Sequence, residues 1–330
     1  MIIPIILLLA SAWVIYLSCE FFVNGVEWVG HRFHITKNAT GTILAAFGTA
    51  LPESVVTFIA VVFGDNSATK DIGVGAAIGG PLVLSTVAYA VVGWVFIASQ
   101  KQRGTILLSK ITEQRLQRDQ LWFMSVFIFK ILLGLVVFVV KPWLSILFVL
   151  AYAAYVRQEL TGDDDPDHLD VLEPLKIRVH DHMPSQGWIL LQTGLALVII
   201  FFSSQVFIHQ LELIGPLLGL PPQMVALLLS PIATELPEIM NAVIWVRQGK
   251  HILALANISG AMMIQATIPS ALGILCTPWI LDKALVWAAI ITLVSILGLY
   301  VLLRKSALSA VRLSYFGVLY VIFAAGLCLM

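Results

Sequence analysis

The segment SPIATELPEIMN, residues 230–241, sets Glu235 and Glu238 on either side of Pro237 in an otherwise apolar part of the chain. Nearly the same words occur once before: FGTALPESVV, residues 47–56, carries its own Leu-Pro-Glu at Glu53. One such motif would say little. Two in matching apolar settings suggest a repeat built around buried carboxylates, and the rest of the chain is read from there.

The surroundings are those of a bilayer-spanning protein. Of 330 residues, 59% are hydrophobic and 12% charged, with a formal net charge of zero; soluble domains run about 45–50% apolar and about 25% charged. The apolar runs come near the ~20 residues that cross a bilayer as a helix, and they do not alternate as barrel strands do. Ten transmembrane helices are predicted, at 2–23, 40–63, 71–98, 121–140, 142–156, 187–209, 221–247, 251–275, 283–303 and 310–329. Only Lys141-Pro142 separates the fourth from the fifth, so a single bent span is the alternative there. The first run lacks a basic leader and a clear cleavage site, and reads as a retained span. Cys19, Cys276 and Cys328 are scattered through apolar runs, a spacing that suggests neither metal site nor disulfide. Fifteen Lys and Arg fall in loops after odd-numbered spans and three, Lys70, Lys141 and Lys283, on the other side. That asymmetry predicts a multi-pass protein of the inner or plasma membrane with both termini outside.

The polar stretch 157–186, with the acidic cluster TGDDDPDHLDVLE, divides the spans five and five: a first repeat at 1–156, a cytoplasmic linker at 157–186 and a second repeat at 187–330. The halves align at the Leu-Pro-Glu. GVGAAIGGPLVL, 73–84, then falls on LALANISGAMMIQ, 253–265, with Gly79 on Gly260, and SCEFFVNGVE, 18–27, falls on SSQVFIHQLE, 203–212. An odd number of spans per copy inverts the second copy. The expected fold is therefore an all-α membrane protein with ten transmembrane helices as two inverted five-helix repeats, its site where the copies meet near the midplane. Pro52 and Pro237 are expected to break their helices at the functional residue, each freeing a carbonyl four residues back.

A carboxylate at the centre of a membrane helix costs about 2.5–3.5 kcal/mol on insertion scales, and three would cost roughly 8–10 kcal/mol. That is comparable to the whole stability of a domain, so the glutamates are expected to hold cations. Thr49 and Glu53, and Thr234 and Glu238, are i and i+4; Glu235 and Glu238 are i and i+3; each pair shares a helix face. Asn257, Ala261 and Gln265 form a stripe on the following helix. The candidate metal site is Glu53, Glu238, Thr49, Thr234, Glu235 and Gln265. A ligand set made only of oxygen favours calcium, magnesium, manganese or sodium over zinc or copper. Lys130, near the middle of the fourth span, either snorkels to a membrane surface or pairs with an intramembrane acid as a built-in substitute for a bound cation. The spans hold no HExxH, paired-aspartate protease motif or Ser/His dyad; neither an enzyme nor a cofactor is expected.

These residues resemble the cation/calcium exchanger superfamily, whose sodium/calcium exchanger branch carries G-T-S-L-P-E in both halves, each followed by G-N-x-x-G-S-N on the next helix. Here the first motif reads GTALPE (48–53) and IATELPE (232–238), and the second GAAIGGP (75–81) and ANISGAM (256–262). The resemblance implies a ten-helix antiporter in which helices 2, 3, 7 and 8 line the site and helices 1 and 6 slide to alternate access. It also implies that Glu53 and Glu238 bind calcium beside Thr49 and Thr234. Departures fall where the family binds sodium: Ala50 and Glu235 replace the serine after the threonine, Gly80 and Ala261 replace the second serines, and the next polar ligand is Leu84 or Gln265. The expected function is a cation antiporter exporting a divalent cation, calcium first, in exchange for Na+. A proton-coupled or Mn2+/Mg2+ exchanger of the same fold, and a non-transporting ion-binding scaffold, are the alternatives. The partners expected are inorganic cations and the lipid bilayer, with no nucleic acid; the oligomeric state stays open.

Overall fold

The computed structural model describes residues 2–62, 67–99, 108–161, 172–181, 183–217 and 228–330, without the side chains at 2, 37, 51–53, 55–56, 59–60, 67–72, 211–212, 215–217 and 230. Among the described residues the chain is helical, with no strand. The first half holds α1 (Ile2–Arg32), α2 (Lys37–Ala39), a π-helical turn (Thr40–Ala45), α3 (Ala46–Val62), α4 (Ser67–Val83), a second π turn (Leu84–Ala88) and α5 (Tyr89–Ser99). It continues through α6 (Lys110–Leu135), a 3₁₀ turn (Lys141–Leu144) and α7 (Ser145–Leu160). The second half holds α8 (Gln186–Leu217), α9 (Ser230–Thr234), α10 (Leu236–Arg247), α11 (His251–Cys276), α12 (Lys283–Arg304), α13 (Ala310–Ser314) and α14 (Phe316–Cys328).

Six described segments are long and apolar enough to cross a membrane: Ile3–Arg32, Gly73–Ser99, Gln186–Gln210, His251–Cys276, Lys283–Arg304 and Ala310–Cys328. Their burial grades from 83% for His251–Cys276 to 28% for Ile3–Arg32 and 17% for Ala310–Cys328. So α11 is the central post, packed against α3, α4, α6, α7 and α10, and α1 and α14 turn apolar surface outward. The exposed face of α1 carries Ile3, Ile6, Leu9 and Trp13, as suits a helix facing lipid rather than water. Its inner face lies along α8.

Small residues permit the closest approaches at the centre. A Cβ on Gly260 of α11 would stand 2.1 Å from the Thr42 carbonyl oxygen, and one on Gly79 of α4 would stand 2.9 Å from Cγ of Pro231. Each of these aligned glycines thus packs on the other half of the chain, the small-residue contact by which membrane helices bring backbones together.

The boundaries differ from expectation in places that have physical causes. Pro52 does not break its helix: α3 runs on from Ala46 to Val62, and the irregularity sits one turn earlier at Thr40–Ala45. Likewise Pro81 lies inside α4 and is followed by the π turn Leu84–Ala88. The carbonyl that Pro81 leaves without its helical donor is that of Ala77, which accepts from the Lys130 ammonium at 2.8 Å instead. The carbonyl of Ser85, within the second π turn, accepts from Ser295 Oγ of α12 at 2.5 Å. The helix that covers the fourth predicted span begins at Lys110, not near 121, because Ser109 caps it by accepting from the Thr112 amide at 3.1 Å; hydropathy alone misses a helix whose first turns are charged. It ends at Leu135, where Val136 turns extended, so α6 and α7 are two helices and the bent-span alternative falls. Between them Lys141 donates to the carbonyls of Val136, Pro278 and Trp279 at 2.7, 2.9 and 2.9 Å.

Of the linker, 162–171 lies outside the described residues. The part after it docks on α1: Trp28 Nε1 donates to the Glu173 carbonyl at 3.0 Å, Asn24 Oδ1 accepts from the Lys176 amide at 3.1 Å, and Lys176 pairs with Glu20 at 3.4 Å. Leu175 is buried against Trp28 and Ile189.

Candidate cation site

The helix that begins the second motif is interrupted at Glu235. Pro237 has no amide hydrogen for the Ala233 carbonyl, and Glu235, at φ −85° and ψ 2°, ends α9 and caps α10. Glu238 then falls in the first turn of α10, where the helix dipole and the free amides favour negative charge. Both carboxylates are enclosed by protein, Glu235 at 0% and Glu238 at 1% exposure.

Each of the two glutamates meets a side-chain amide of α11. Gln265 Nε2 of α11 donates to Glu235 Oε1 at 2.6 Å, and Asn257 Nδ2 donates to the Glu238 backbone carbonyl at 3.3 Å. The thiol of Cys19, on α1, reaches the Pro237 carbonyl at 3.8 Å. Thr234 Oγ1 donates to the Pro231 carbonyl at 3.1 Å, and Thr49 Oγ1 donates to that of Ala45 at 3.1 Å. With their protons turned to their own helices, both hydroxyls keep lone pairs as acceptors.

The structure thus joins Glu235 to Gln265 directly and places Glu238 one turn away on the same interrupted helix. Thr49 is buried on α3, which packs against both α10 and α11. The side chain of Glu53 lies outside the described residues. Its position falls midway between Thr49 and Thr57 on one face of α3, and Thr57 is also fully buried, its hydroxyl without a hydrogen-bond partner among the described residues.

One residue of the site was not picked out from sequence. Asn241 lies one turn beyond Glu238, is fully buried, and among the described residues finds no hydrogen-bond partner for either amide atom; Asn257 Oδ1 is in the same condition. The i, i+3 step from Glu238 was a signal, but asparagine at a helix interface is common enough to hide it. A buried amide group without a partner costs about 1–3 kcal/mol. Asn241→Leu is therefore expected to raise the thermal midpoint measured in chelator, and to shrink the further rise when a divalent cation is added. An unchanged midpoint in chelator would remove Asn241 from the site.

The snorkelling reading of Lys130 fails. The side chain is fully buried, and Nζ donates to the Ala77 carbonyl at 2.8 Å and to Ser270 Oγ at 3.2 Å. Ser259 belongs to a separate polar cluster, with Gln120 Nε2 at 2.9 Å and the Tyr89 hydroxyl at 3.2 Å.

An enclosed set of carboxylate, amide and hydroxyl oxygens at a helix interruption suits a hard cation. The profile of the sodium/calcium exchanger protein family matches residues 3–158 and 188–329, nearly the whole chain in two blocks. The chain belongs to the sodium/calcium exchanger protein family. The chain is 25% identical over 292 residues to the CaxA protein of Alkalimonas amylolytica, covering 86% of this chain and 84% of that one. It is 23% identical over 285 residues to the inner membrane protein YrbG of Escherichia coli strain K12, covering 84% and 81%. Its fold matches that of the sodium-calcium exchanger NCX_Mj with a TM-score of 0.77 at 19% identity, over 99% of both chains. A second structure of NCX_Mj, soaked with sodium and strontium, gives 0.75 over 98% of both. The family consists of membrane cation antiporters, not enzymes, and its cargo is inorganic cations moved across a bilayer.

Proposed function

We propose that this exchanger moves a divalent cation, calcium first, against Na+ by alternating access, with Glu53 and Glu238 binding the divalent ion beside Thr49 and Thr234. The observation that carries this reading is the pair of enclosed carboxylates on either side of Pro237, with Gln265 bonded to Glu235, Asn257 bonded to the Glu238 backbone and Asn241 buried one turn further on. Calcium takes six to eight oxygens, and the carboxylates, carbonyls and amides here are of that kind. The same carboxylates bind the divalent ion or its counter-ions in turn, so inward and outward movement are coupled. Ten spans in two inverted five-helix repeats, in an inner or plasma membrane with both termini outside, complete the proposal; the charge asymmetry of the loops supports the orientation.

The test is flux in proteoliposomes with Ca2+, Mn2+ or Mg2+, each under a sodium gradient and under a pH gradient. Calcium uptake driven by sodium loaded inside is the expected result. Uptake of none of the three ions under either gradient would reject transport. Glu235 favours a second reading, proton coupling, because it puts a titratable group where the family motif has a serine hydroxyl. Glu235→Gln separates the two. If sodium is the counter-ion, sodium-driven flux survives the substitution; if the proton is, flux driven by the pH gradient falls at least about tenfold, the loss expected when a group carrying the coupled proton is removed.

A further inference from the structure

Two interior prolines sit on helices flanking the site, one in each half: Pro81 inside α4 and Pro269 inside α11. A proline at position i leaves the carbonyl at i−4 without its helical donor. The carbonyls so released are those of Ala77 and Gln265. In a membrane protein each must find another partner. The Ala77 carbonyl accepts from Lys130 Nζ at 2.8 Å. The Gln265 carbonyl accepts from Ser270 Oγ at 3.2 Å, and that same hydroxyl oxygen accepts from Lys130 Nζ at 3.2 Å. The ammonium also stands 4.6 Å from the centroid of the Phe127 ring, a cation–π distance. One cation therefore answers both proline-released carbonyls, one directly and one through a serine.

The same bonds tie this centre to the carboxylates. Gln265, whose carbonyl is reached through Ser270, donates its side-chain amide to Glu235 at 2.6 Å. The route runs from the Lys130 ammonium through the Ser270 hydroxyl and Gln265 to Glu235. Carbonyl and hydroxyl oxygens converging from two helices are the ligands a small monovalent cation takes, and a buried ammonium without such partners would cost several kcal/mol.

We propose that Lys130 is a tethered cation: its ammonium occupies a monovalent-cation site formed where α4 and α11 are opened by proline, supplying a fixed charge where a mobile ion would otherwise bind. Resting on the divalent-exchange reading above, this fixed charge lowers both the divalent affinity of the carboxylates and the number of mobile counter-ions needed per cycle.

The experiment uses the purified full-length protein and thermal unfolding. Lys130→Ala is titrated with NaCl, KCl or methylammonium chloride against choline chloride at constant ionic strength. The expected result is a saturable rise of the variant's midpoint with at least one of the three small cations, beyond any rise that the wild type shows in the same salt. Identical behaviour in all salts, or no folded variant in any of them, overturns the proposal. Lys130→Gln keeps a polar donor, one bond shorter, but no charge, and is titrated with CaCl2 and MnCl2. Divalent binding on the order of tenfold tighter than wild type is expected from loss of a nearby unit charge. Affinity equal to wild type refutes the electrostatic part, since a purely structural lysine would be replaced by glutamine without that gain. Wild-type protein that binds no divalent ion would instead count against the function proposed above, and the monovalent titration of Lys130→Ala would still decide on the tethered cation.

Discussion

Glu238→Gln is expected to abolish divalent-cation flux in proteoliposomes while leaving a folded protein. Glutamine matches glutamate in size, and the Asn257 contact at this position is to the backbone carbonyl, which the substitution does not touch. What is lost is a full negative charge in an enclosed site, at the positive end of α10. Removing one partner of a buried charge interaction costs about 3–5 kcal/mol, and about 1.4 kcal/mol is tenfold in affinity. The divalent affinity should therefore fall by at least about a hundredfold. Glu53→Gln is expected to do the same, if the first motif supplies the other half of the cage. Thermal unfolding in chelator separates lost binding from lost folding: the midpoint should hold or rise, because a buried carboxylate has been removed. Wild-type flux in both variants would reject the assignment of the site.

The largest structural effect is expected at Gly260. A Cβ there would meet Thr42 at 2.1 Å from its carbonyl oxygen, 2.5 Å from Cα and 2.6 Å from C. All three are backbone atoms of the π turn, so no side-chain rotation can make room. Over-packing a well-filled core typically costs about 1–3 kcal/mol, and Gly260→Val should reach or exceed the top of that range, seen as a fall in midpoint or failure to accumulate. Because the turn and α11 both border the site, the milder Gly260→Ala should weaken divalent binding as well as stability. Gly194 and Gly75 meet nothing within 4 Å, so alanine there should stay within about 0.5 kcal/mol of wild type. A Gly260→Val protein as stable as a Gly194→Ala protein would show that the contact at Thr42 does not hold the halves together.

The chain alone determined the class and pointed to the residues on which the proposed chemistry rests. Hydropathy over windows of a span's length reports the membrane because the cost of exposing a backbone to lipid is local to each helix. The doubled Leu-Pro-Glu reports the carboxylates because a charged residue in such a run has few other uses. Those inferences led to Glu235, Glu238 and Gln265, which the structure finds enclosed, with Glu235 and Gln265 hydrogen-bonded. The same reasoning misjudged Pro52, since a proline states only which hydrogen bond is missing, and α3 runs through it unbroken. It missed the start of α6, where a serine cap outweighs charged first turns. Only the tertiary structure decided the rest. That the ammonium of Lys130 reaches carbonyls 53 residues before it on one side and, through Ser270, 135 residues after it on the other depends on where α4, α6 and α11 cross. That Asn241 finds no partner among the described residues depends on how the helices around it pack. Partners distant in sequence are chosen by packing, and packing is a property of the whole chain rather than of any window along it.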